Sequence, residues 1–361
     1  MDSLLAETQF IYHGFPTKST DTETCVDSGK AQDGKAQDEK AEAEADRIKS
    51  LVRTFLEDIG FDRSIRINKD HEMKVAVWQH FKSLDLGEKI ENSIQKTLDP
   101  SVDTAYHGYT RLPFQVRALA AIQFMYMFLL DDVAVEFLED LEAFGQKFIP
   151  NQPHQHPLFT GLDSHLRNLS HYYGPYCHSV ITKCMLDYTN GTVVEFKMYK
   201  ASQSNFKPSP DLRLMPMYLR TKIGGAEILL HLLFPNSVFP EEEYAMQYFP
   251  VTLELVLAID FTNDILSYYK EFCVGDEQGL FVANLADTHH VQHLDILQYL
   301  TNYTPGVTNS AYKQLRNSPS LLAVVKNFMQ GMIMLFTAHR RYHLVELFAD
   351  EQYLLPYDTD A

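Results

Sequence analysis

Hydrophobic side chains recur every three or four residues over most of the chain, and this period is that of an α-helix. The stretches ADRIKSLVRTFLEDIGF and LPFQVRALAAIQFMYMFLLDDVAVEFLEDLEAFG show the period clearly. Alternating patterns typical of strands are scarce, the best being a few residues around GTVVEFKMY. Several later stretches are apolar around much of the helical circumference, which is typical of helices packed inside a bundle. The sequence therefore predicts an all-α fold with central helices surrounded by others.

The chain divides into an acidic N-terminal tail and one helical body. Residues 17–46 are almost free of large apolar side chains and hold the imperfect repeat KAQDGKAQDEK. Such a segment buries too little surface to offset the entropy lost on ordering. The 361 residues are 45% hydrophobic, which is enough for a large core. We predict a mostly disordered tail over residues 1–46 and a single all-α domain over residues 47–361.

Charge and cysteine content restrict the partners and the compartment. The formal net charge is −17, and so acidic a chain lacks the basic surface that nucleic acid or an anionic membrane requires. The four cysteines have no C-x-x-C spacing, which indicates a reducing compartment. The longest near-apolar run, residues 118–130, is shorter than the ~20 residues of a membrane span. We expect a cytoplasmic protein with no nucleic-acid partner and no membrane span.

A pair of carboxylates ends the apolar stretch FMYMFLL. Asp131 and Asp132 follow it directly, and Glu136 lies four residues after Asp132 on the same side of a helix. Adjacent carboxylates repel one another unless solvent or a cation screens them. Mg²⁺ is a suitable cation because it prefers oxygen ligands and is usually bound by one or two carboxylates plus substrate phosphates. The alternative is a solvated acidic helix end, and this motif alone does not decide between the two.

The stretch IDFTNDILSYYKEF places polar side chains on a helix that is otherwise apolar. Asn263, Ser267 and Glu271 are four residues apart and fall within about 80° on one helical face. Their amide, hydroxyl and carboxylate oxygens form a second candidate Mg²⁺ site whose missing negative charge a diphosphate would supply. Lys270 could reach the same anion as a point-charge donor. The alternative has Asn263 and Ser267 bonded to carbonyls of their own helix and Glu271 paired with Lys270.

Two basic features could complete an anion site. Arg220 precedes the pair Gly224–Gly225, which weakens a helix and can leave a backbone carbonyl free. Arg341 and Tyr342 follow the apolar run GMIMLF, where a guanidinium and a phenol need an acceptor. Taken singly, each of these features is more often a surface salt bridge than a ligand contact, so their value lies in occurring together with the two acidic stretches.

Four motifs in this order resemble those of class I terpene cyclases. LLDDVAVE is similar to their aspartate-rich motif, YLRTKIGG to the diphosphate sensor, NDILSYYKE to the NSE motif and HRRYHL to the C-terminal Arg-Tyr pair. The run most resembles the fungal trichodiene synthase family, over roughly residues 50 to 350. The resemblance implies a helical bundle around a central apolar cavity, and a sesquiterpene cyclase that ionises farnesyl diphosphate and releases diphosphate. Related enzymes are often homodimers, so a homodimer is a candidate assembly, and the sequence leaves the oligomeric state open.

The resemblance also implies the metal ligands. Three Mg²⁺ ions are expected. Asp131 would bind two of them, and Asn263, Ser267 and Glu271 would hold the third.

The same resemblance implies the residues that act on the diphosphate. Arg220, Lys270, Arg341 and Tyr342 would donate hydrogen bonds to it as it leaves. Gly224 would be the effector whose carbonyl helps to trigger departure.

Two positions depart from the family pattern. The acidic residue expected four positions after the first aspartate is Val135 here, which leaves Glu136 as a candidate substitute. Ile223 stands where many bacterial relatives have an acidic linker between sensor and effector. The departures leave the metal roles of Asp132 and Glu136 open.

Aromatic side chains near these motifs are candidates for stabilising a carbocation, because their ring faces attract positive charge. They are Phe124, Tyr126, Tyr188 and Phe261. For any single one of them, plain core packing is the more usual explanation.

Two other functions compete with cyclisation. Prenyl-chain elongation on a similar helical fold requires two DDxxD-type motifs, and the sequence has one DD of this kind, so elongation is disfavoured. A diphosphate-binding helical protein that has lost turnover is the other alternative, and the valine at position 135 keeps it open.

Overall fold

The computed structural model describes residues 33–66, 68–133, 136–202, 212–275, 281–351 and 353–354. These residues form fifteen α-helices with short 3₁₀ and π segments, and no strand occurs among them. The predicted all-α fold is therefore confirmed. The helices are α1 (Asp33–Asp58), α2 (His71–Lys82), α3 (Glu88–Gly108), α4 (Phe114–Val133), α5 (Leu138–Phe148), α6 (Pro157–Asn168), α7 (Pro175–Ser202), α8 (Met215–Ile223), α9 (Ala226–His231), α10 (Glu241–Tyr248), α11 (Thr252–Tyr268), α12 (Phe281–His289), α13 (His293–Gln314), α14 (Pro319–Ala338) and α15 (Leu344–Leu347).

Three strongly apolar helices, α4, α11 and α14, form the centre of the bundle. Helix α3 packs against α4 and α14, and α11 packs against α13, α9 and α14. One continuous cluster of buried hydrophobic side chains runs from Ile48 to Leu354. Helices that are apolar on most sides need neighbours on most sides, which explains why the most apolar stretches of the sequence occupy the interior.

The first helix contradicts part of the predicted tail. Residues 1–32 lie outside the described residues, but α1 begins at Asp33, inside the segment predicted to be disordered. Residues 35–46 are rich in Ala, Glu and Lys, which are strong helix formers, and Arg47 anchors the helix by donating to Asp295 Oδ1 at 2.9 Å. The sequence prediction weighed only the lack of apolar side chains and overlooked helix propensity.

Helix α14 is long and apolar enough, by composition, to cross a membrane. It is the one such helix in the part of the chain that the structure describes, and 72% of its apolar window is buried inside the protein. Burial of that extent is typical of a core helix, and α14 packs along α3 and α11.

A buried histidine should make stability depend on pH. His165 on α6 is 3% exposed, its Nε2 atom has no hydrogen-bond partner among the described residues, and burial lowers its pKa from 6.5 to about 3. Below pH 6.5 the unfolded chain binds a proton at His165 and the folded chain does not. The contribution of neutral His165 to the free energy of unfolding is therefore complete above pH 6.5 and is lost as the pH falls towards 3. At pH 5 the loss is about 2 kcal/mol.

Denaturation with urea at pH 7.5 and at pH 5 tests this prediction. His165→Phe keeps a planar ring at the site next to Tyr126 but cannot be protonated. We expect the free energy of unfolding to fall less between the two pH values in His165→Phe than in the wild type. Equal falls would show that His165 does not contribute.

Candidate active site

Most of the predicted site residues surround one cavity of about 240 Å³ in the centre of the bundle. Its walls come from the end of α4, the junction of α8 and α9, the second half of α11 and the chain on either side of residue 340. Nine of the eleven predicted residues line it: Asp131, Arg220, Gly224, Asn263, Ser267, Lys270, Glu271, Arg341 and Tyr342. Four motifs that are far apart in sequence therefore meet at a single opening.

The aspartate-rich end of α4 contributes to the cavity only through its first carboxylate. Asp131 lines the cavity, whereas Asp132 accepts a hydrogen bond at 3.3 Å from Nη2 of Arg341. Glu136 is exposed and does not line the cavity, and Val135 lies outside the described residues. The structure thus does not bring Glu136 to the position that a substitute ligand would need.

On the polar face of α11, one side chain bonds to its own helix and another bonds to Arg220. Ser267 Oγ donates to the carbonyl of Asn263 at 2.7 Å, which is the local bond of the structural alternative. Asn263 Oδ1 instead accepts from Nη2 of Arg220 at 3.1 Å. Because a hydroxyl that donates its proton keeps its acceptor lone pairs, Ser267 can still serve as an oxygen ligand.

Lys270 and Glu271 do not continue α11 as a regular helix. They lie in a π-helical segment, Tyr269–Val274, in which Gly275 N donates to Lys270 O at 2.7 Å. The assumption of a regular α-helix through Glu271 was therefore wrong. π-Helical turns are rare and occur frequently at functional sites, and here both side chains line the cavity.

Arg220 is bonded to α11 through several of its nitrogen atoms. It is 8% exposed, and its Nε donates to Asp264 Oδ2 at 3.1 Å. Its Nη2 lies 3.1 Å from Asp264 Oδ1 and donates to the Asp260 carbonyl at 3.0 Å. Its Nη1 lies 3.4 Å from Asp260 Oδ1. The guanidinium is therefore held by α11 and is not the surface salt bridge of the alternative interpretation.

The two aspartates around Arg220 were missed by sequence reasoning. Asp260 and Asp264 are 3% and 8% exposed and line the cavity. Their spacing of four residues places both on the same face as Asn263 and Ser267. Two carboxylates on one face of an apolar helix require a cation, and this pattern could have predicted a buried arginine partner.

Burial controls the ionisation of this cluster. It raises the pKa of Asp260 to about 6 and that of Asp264 to about 7, while Arg220 opposes both shifts. Burial also disfavours the charged guanidinium, but Asp260 and Asp264 outweigh it, so the pKa of Arg220 lies above its usual range. One guanidinium thus faces two carboxyl groups, and the surplus carboxyl can take up a proton near neutral pH.

Glycines separate α8 from α9 as the sequence suggested. Gly225 has φ +67°, in the left-handed region that favours glycine. At Gly224 the constraint is steric, because a Cβ atom would collide with Asp260 Oδ1 and would lie 2.7 Å from Arg220 Nη1. Gly224 lines the cavity next to Arg220 and Asp260.

Arg341 and Tyr342 reach the cavity from a 3₁₀ turn, Arg340–Tyr342, that follows α14. Tyr342 is 5% exposed and packs edge-on against Phe336, with ring centroids 4.6 Å apart. Burial disfavours the charged form of Arg341, but Tyr342 and Asp132 outweigh it and raise its pKa. The turn therefore presents a permanent cation opposite α11.

The rest of the wall is mainly apolar and partly aromatic. It includes Phe124, Met127, Phe128, Leu229, Ile259, Phe281, Val282, Met332, Leu335 and Phe336. Of the four aromatic candidates, Phe124 and Tyr188 line the cavity, and Tyr188 donates to Met127 O at 3.1 Å. Tyr126 and Phe261 are buried elsewhere in the core.

The oxygen atoms of the site fit Mg²⁺ better than they fit a transition metal. Within the described ranges, no group of three or more His, Cys, Asp or Glu side chains lies close enough to hold a metal ion. The predicted ligands are two carboxylates, an amide oxygen and a hydroxyl, on Asp131, Glu271, Asn263 and Ser267, and the cavity is also lined by the carboxyl groups of Glu195, Asp260 and Asp264. Mg²⁺ takes few protein ligands of this kind and completes its shell with water and substrate phosphates.

The fold and the cavity define a terpene synthase. Consistent with this class, the fold is similar to that of linalool/nerolidol synthase from Streptomyces clavuligerus, solved in complex with 2-fluorogeranyl diphosphate, with a TM-score of 0.57 and 13% identity over 77% of this chain and 99% of that chain. The family model described as trichodiene synthase (TRI5) matches residues 50–354, and the chain belongs to this family.

Curated relatives agree with the family. The chain is 24% identical to an (E)-beta farnesene synthase of Metarhizium brunneum, over 82% of this chain and 88% of the relative. It is 22% identical to a trichodiene synthase of Fusarium pseudograminearum, over 81% and 77% of the two chains. The protein is therefore a terpene synthase, a lyase, as the motifs predicted.

Proposed function

We propose that the protein binds farnesyl diphosphate in the central cavity, ionises it with the help of Mg²⁺, cyclises the resulting carbocation and releases diphosphate. The observation that carries the proposal is the division of the cavity wall. Along α4 the apolar lining residues Phe124, Met127 and Phe128 precede Asp131, and after the apolar lining residues of α14 come Arg341 and Tyr342. This division matches a substrate with an anionic head and an apolar chain.

The chain length of the substrate is supported by the similar proteins. The solved neighbour is a complex with a geranyl diphosphate analogue, which supports a prenyl diphosphate as substrate. The relatives are named for farnesene and trichodiene and are sesquiterpene synthases, which supports a farnesyl chain in the substrate.

Mg²⁺ would be held by Asp131, Asn263, Ser267 and Glu271, and three ions are what the family resemblance implies. When bound, the metal stabilises the negative charge that develops on the departing diphosphate. Arg341 donates to Asp132, and Asp132 does not line the cavity. We therefore assign to Asp132 a supporting role next to Asp131 rather than that of a metal ligand.

Hydrogen-bond donors would meet the diphosphate from several sides. Lys270 and Arg341 supply charged donors, and Tyr342 supplies a phenol hydroxyl. Arg220 has several donors and is already oriented by α11. Donors that are fixed before the reaction stabilise developing charge at no reorganisation cost, and the chemistry therefore needs no protein nucleophile.

The apolar wall would protect the carbocation. Phe124, Phe128 and Phe336 present aromatic rings to the cavity, and such rings attract positive charge at their faces. The hydroxyl groups of Thr104, Tyr188 and Thr192 in this wall donate to backbone carbonyls, and a wall that binds little water protects the cation from early quenching. The cytoplasmic location and the homodimer stay predictions of the sequence.

Incubation of the full-length protein with farnesyl diphosphate and Mg²⁺, followed by gas chromatography of a hexane extract, tests the proposal. We expect a sesquiterpene hydrocarbon or alcohol that is absent from a boiled control and from a reaction with excess EDTA. Geranyl diphosphate in a parallel reaction tests the chain length. No product above the boiled control would refute the proposal.

A further inference from the structure

We propose that Tyr188 is a positioning residue, whose phenol hydroxyl holds the last turn of α4 and thereby fixes the carboxylate of Asp131. The inference rests on the proposed function, because that function makes Asp131 a ligand of Mg²⁺. Tyr188 lies on α7, belongs to none of the four motifs and is 7% exposed at the cavity wall. Plain core packing accounts for its ring but leaves the direction of its hydroxyl unexplained.

The end of α4 is electrostatically unfavourable. The helix ends at Val133, so the carboxylates of Asp131 and Asp132 both lie in its last turn, which has no basic residue. Negative charge at a helix C-terminus is unfavourable, because the unpaired carbonyl groups there already carry partial negative charge. Helix ends also fray more readily than helix centres. The turn that carries Asp131 therefore needs support from outside α4.

Tyr188 supplies this support to the backbone. Its hydroxyl donates to the carbonyl of Met127 at 3.1 Å. In an α-helix the carbonyl of one residue accepts from the N–H group four positions later, so the carbonyl of Met127 is the acceptor for the N–H of Asp131. A carbonyl oxygen has two lone pairs and can accept both bonds. The phenol of α7 is thus bonded to the peptide group that fixes the backbone of Asp131.

The phenol stays protonated beside these carboxylates. Burial raises the pKa of Tyr188 well above its ordinary value, and the negative charge of Asp131 adds to the rise. The hydroxyl therefore remains a donor throughout the physiological range of pH. Arg341 supports the same turn, because its Nη2 donates to Asp132 Oδ1 at 3.3 Å. One donor from outside α4 thus holds the backbone of this turn, and another holds one of its side chains.

Tyr173 provides a matched control. It is 4% exposed, and its hydroxyl also donates to a backbone carbonyl, that of Leu232, at 3.0 Å. Neither Tyr173 nor Leu232 lines the cavity. Replacing either tyrosine by phenylalanine keeps the ring and removes one buried hydroxyl with its hydrogen bond. A purely structural role predicts the same result for both variants, whereas a positioning role predicts an effect on α4 and on the metal site for Tyr188 alone.

Hydrogen–deuterium exchange of the metal-free, full-length protein tests the link between Tyr188 and α4. We expect Tyr188→Phe to speed amide exchange in the peptide that covers residues 127–133 at least fivefold, because the last turn opens more often. In Tyr173→Phe the exchange of this peptide should stay within twofold of the wild type. Wild-type exchange of residues 127–133 in Tyr188→Phe would overturn the proposal.

Titration calorimetry of inorganic diphosphate in the presence of Mg²⁺ tests the consequence for the metal site. We expect Tyr188→Phe to bind at least fivefold more weakly than the wild type, and Tyr173→Phe to bind within twofold of it. Urea denaturation of the two variants should give similar midpoints, because each has lost one buried hydrogen bond. An unchanged affinity in Tyr188→Phe, or an equal loss in both variants, would contradict the positioning role.

Double variants show whether Tyr188 acts through Asp131, since only residues that act together give non-multiplicative effects. Tyr188→Phe should have no further effect, within twofold, in an Asp131→Asn background and its full effect in a Glu271→Ala background. If Asp131→Asn binds too weakly for calorimetry, kcat/KM for farnesyl diphosphate gives the same comparison. A phenol that donated directly to the diphosphate would keep its effect in both backgrounds, and that result would refute the action through Asp131.

The proposed function and the role of Tyr188 fail in different ways. A wild type that binds diphosphate with Mg²⁺ but forms no product would refute the proposed function alone, because the exchange and binding measurements do not depend on turnover. An active wild type whose Tyr188→Phe variant keeps wild-type exchange and affinity would overturn the role of Tyr188 alone.

Discussion

Arg220→Met is expected to abolish turnover and to destabilise the fold by about 3–5 kcal/mol, because breaking a buried ion pair leaves uncompensated charge in the interior. Both Asp260 and Asp264 would lose their cation. The loss should be largest above pH 7, where the Asp264 carboxyl, whose pKa burial raises to about 7, is ionised. Urea denaturation and the product assay measure the two effects.

Two controls accompany Arg220→Met. Arg220→Lys keeps the charge but replaces a planar fork by a single point donor, so we expect part of the stability and little of the turnover to return. Arg341→Met removes a cation that is 28% exposed and pairs with Asp132 at 3.3 Å. Its effect on stability should stay below about 1 kcal/mol. Equal losses in Arg220→Met and Arg341→Met would contradict the buried cluster.

Asn263→Ala and Glu271→Ala are each expected to lower turnover at least tenfold, which corresponds to about 1.4 kcal/mol of barrier. The reason is the loss of an oxygen ligand at the cavity rather than a loss of packing, because Asn263 and Glu271 are only partly buried. The fold should therefore remain intact. Glu254→Ala is the control, because Glu254 lies in the first turn of α11 and does not line the cavity. Wild-type rates in both variants would exclude the metal assignment.

The helical fold and most of the cavity could be predicted from the sequence because both follow from the same rule. Apolar side chains on all sides of a helix need neighbours, and a polar side chain such as Asn263 or Ser267 on such a helix needs a partner. This rule identified the part of the cavity wall that α11 forms. Through Asp131 and Arg341 it also identified the parts formed by the end of α4 and by the turn after α14.

Features that depend on tertiary packing could not be predicted in this way. The π-helical turn at Lys270 and Glu271 changes the helical register, and no local pattern announces it. The partners of Arg220 come from another helix, so the choice of Asp260 and Asp264 required the packing of α8 against α11. Glu136 follows Asp132 at helical spacing, but it lies in a 3₁₀ turn beyond α4, is exposed and does not line the cavity.

Titration calorimetry of inorganic diphosphate into the full-length protein tests most directly whether the two oxygen-bearing walls hold a metal and a diphosphate between them. With Mg²⁺ we expect saturable binding of diphosphate, and with EDTA in place of Mg²⁺ we expect none. The Glu271→Ala variant should bind at least tenfold more weakly, or about 1.4 kcal/mol. Absence of binding with Mg²⁺ would contradict the assignment of this cavity as the active site. So would an affinity for diphosphate that is the same in EDTA as in Mg²⁺, or the same in Glu271→Ala as in the wild type.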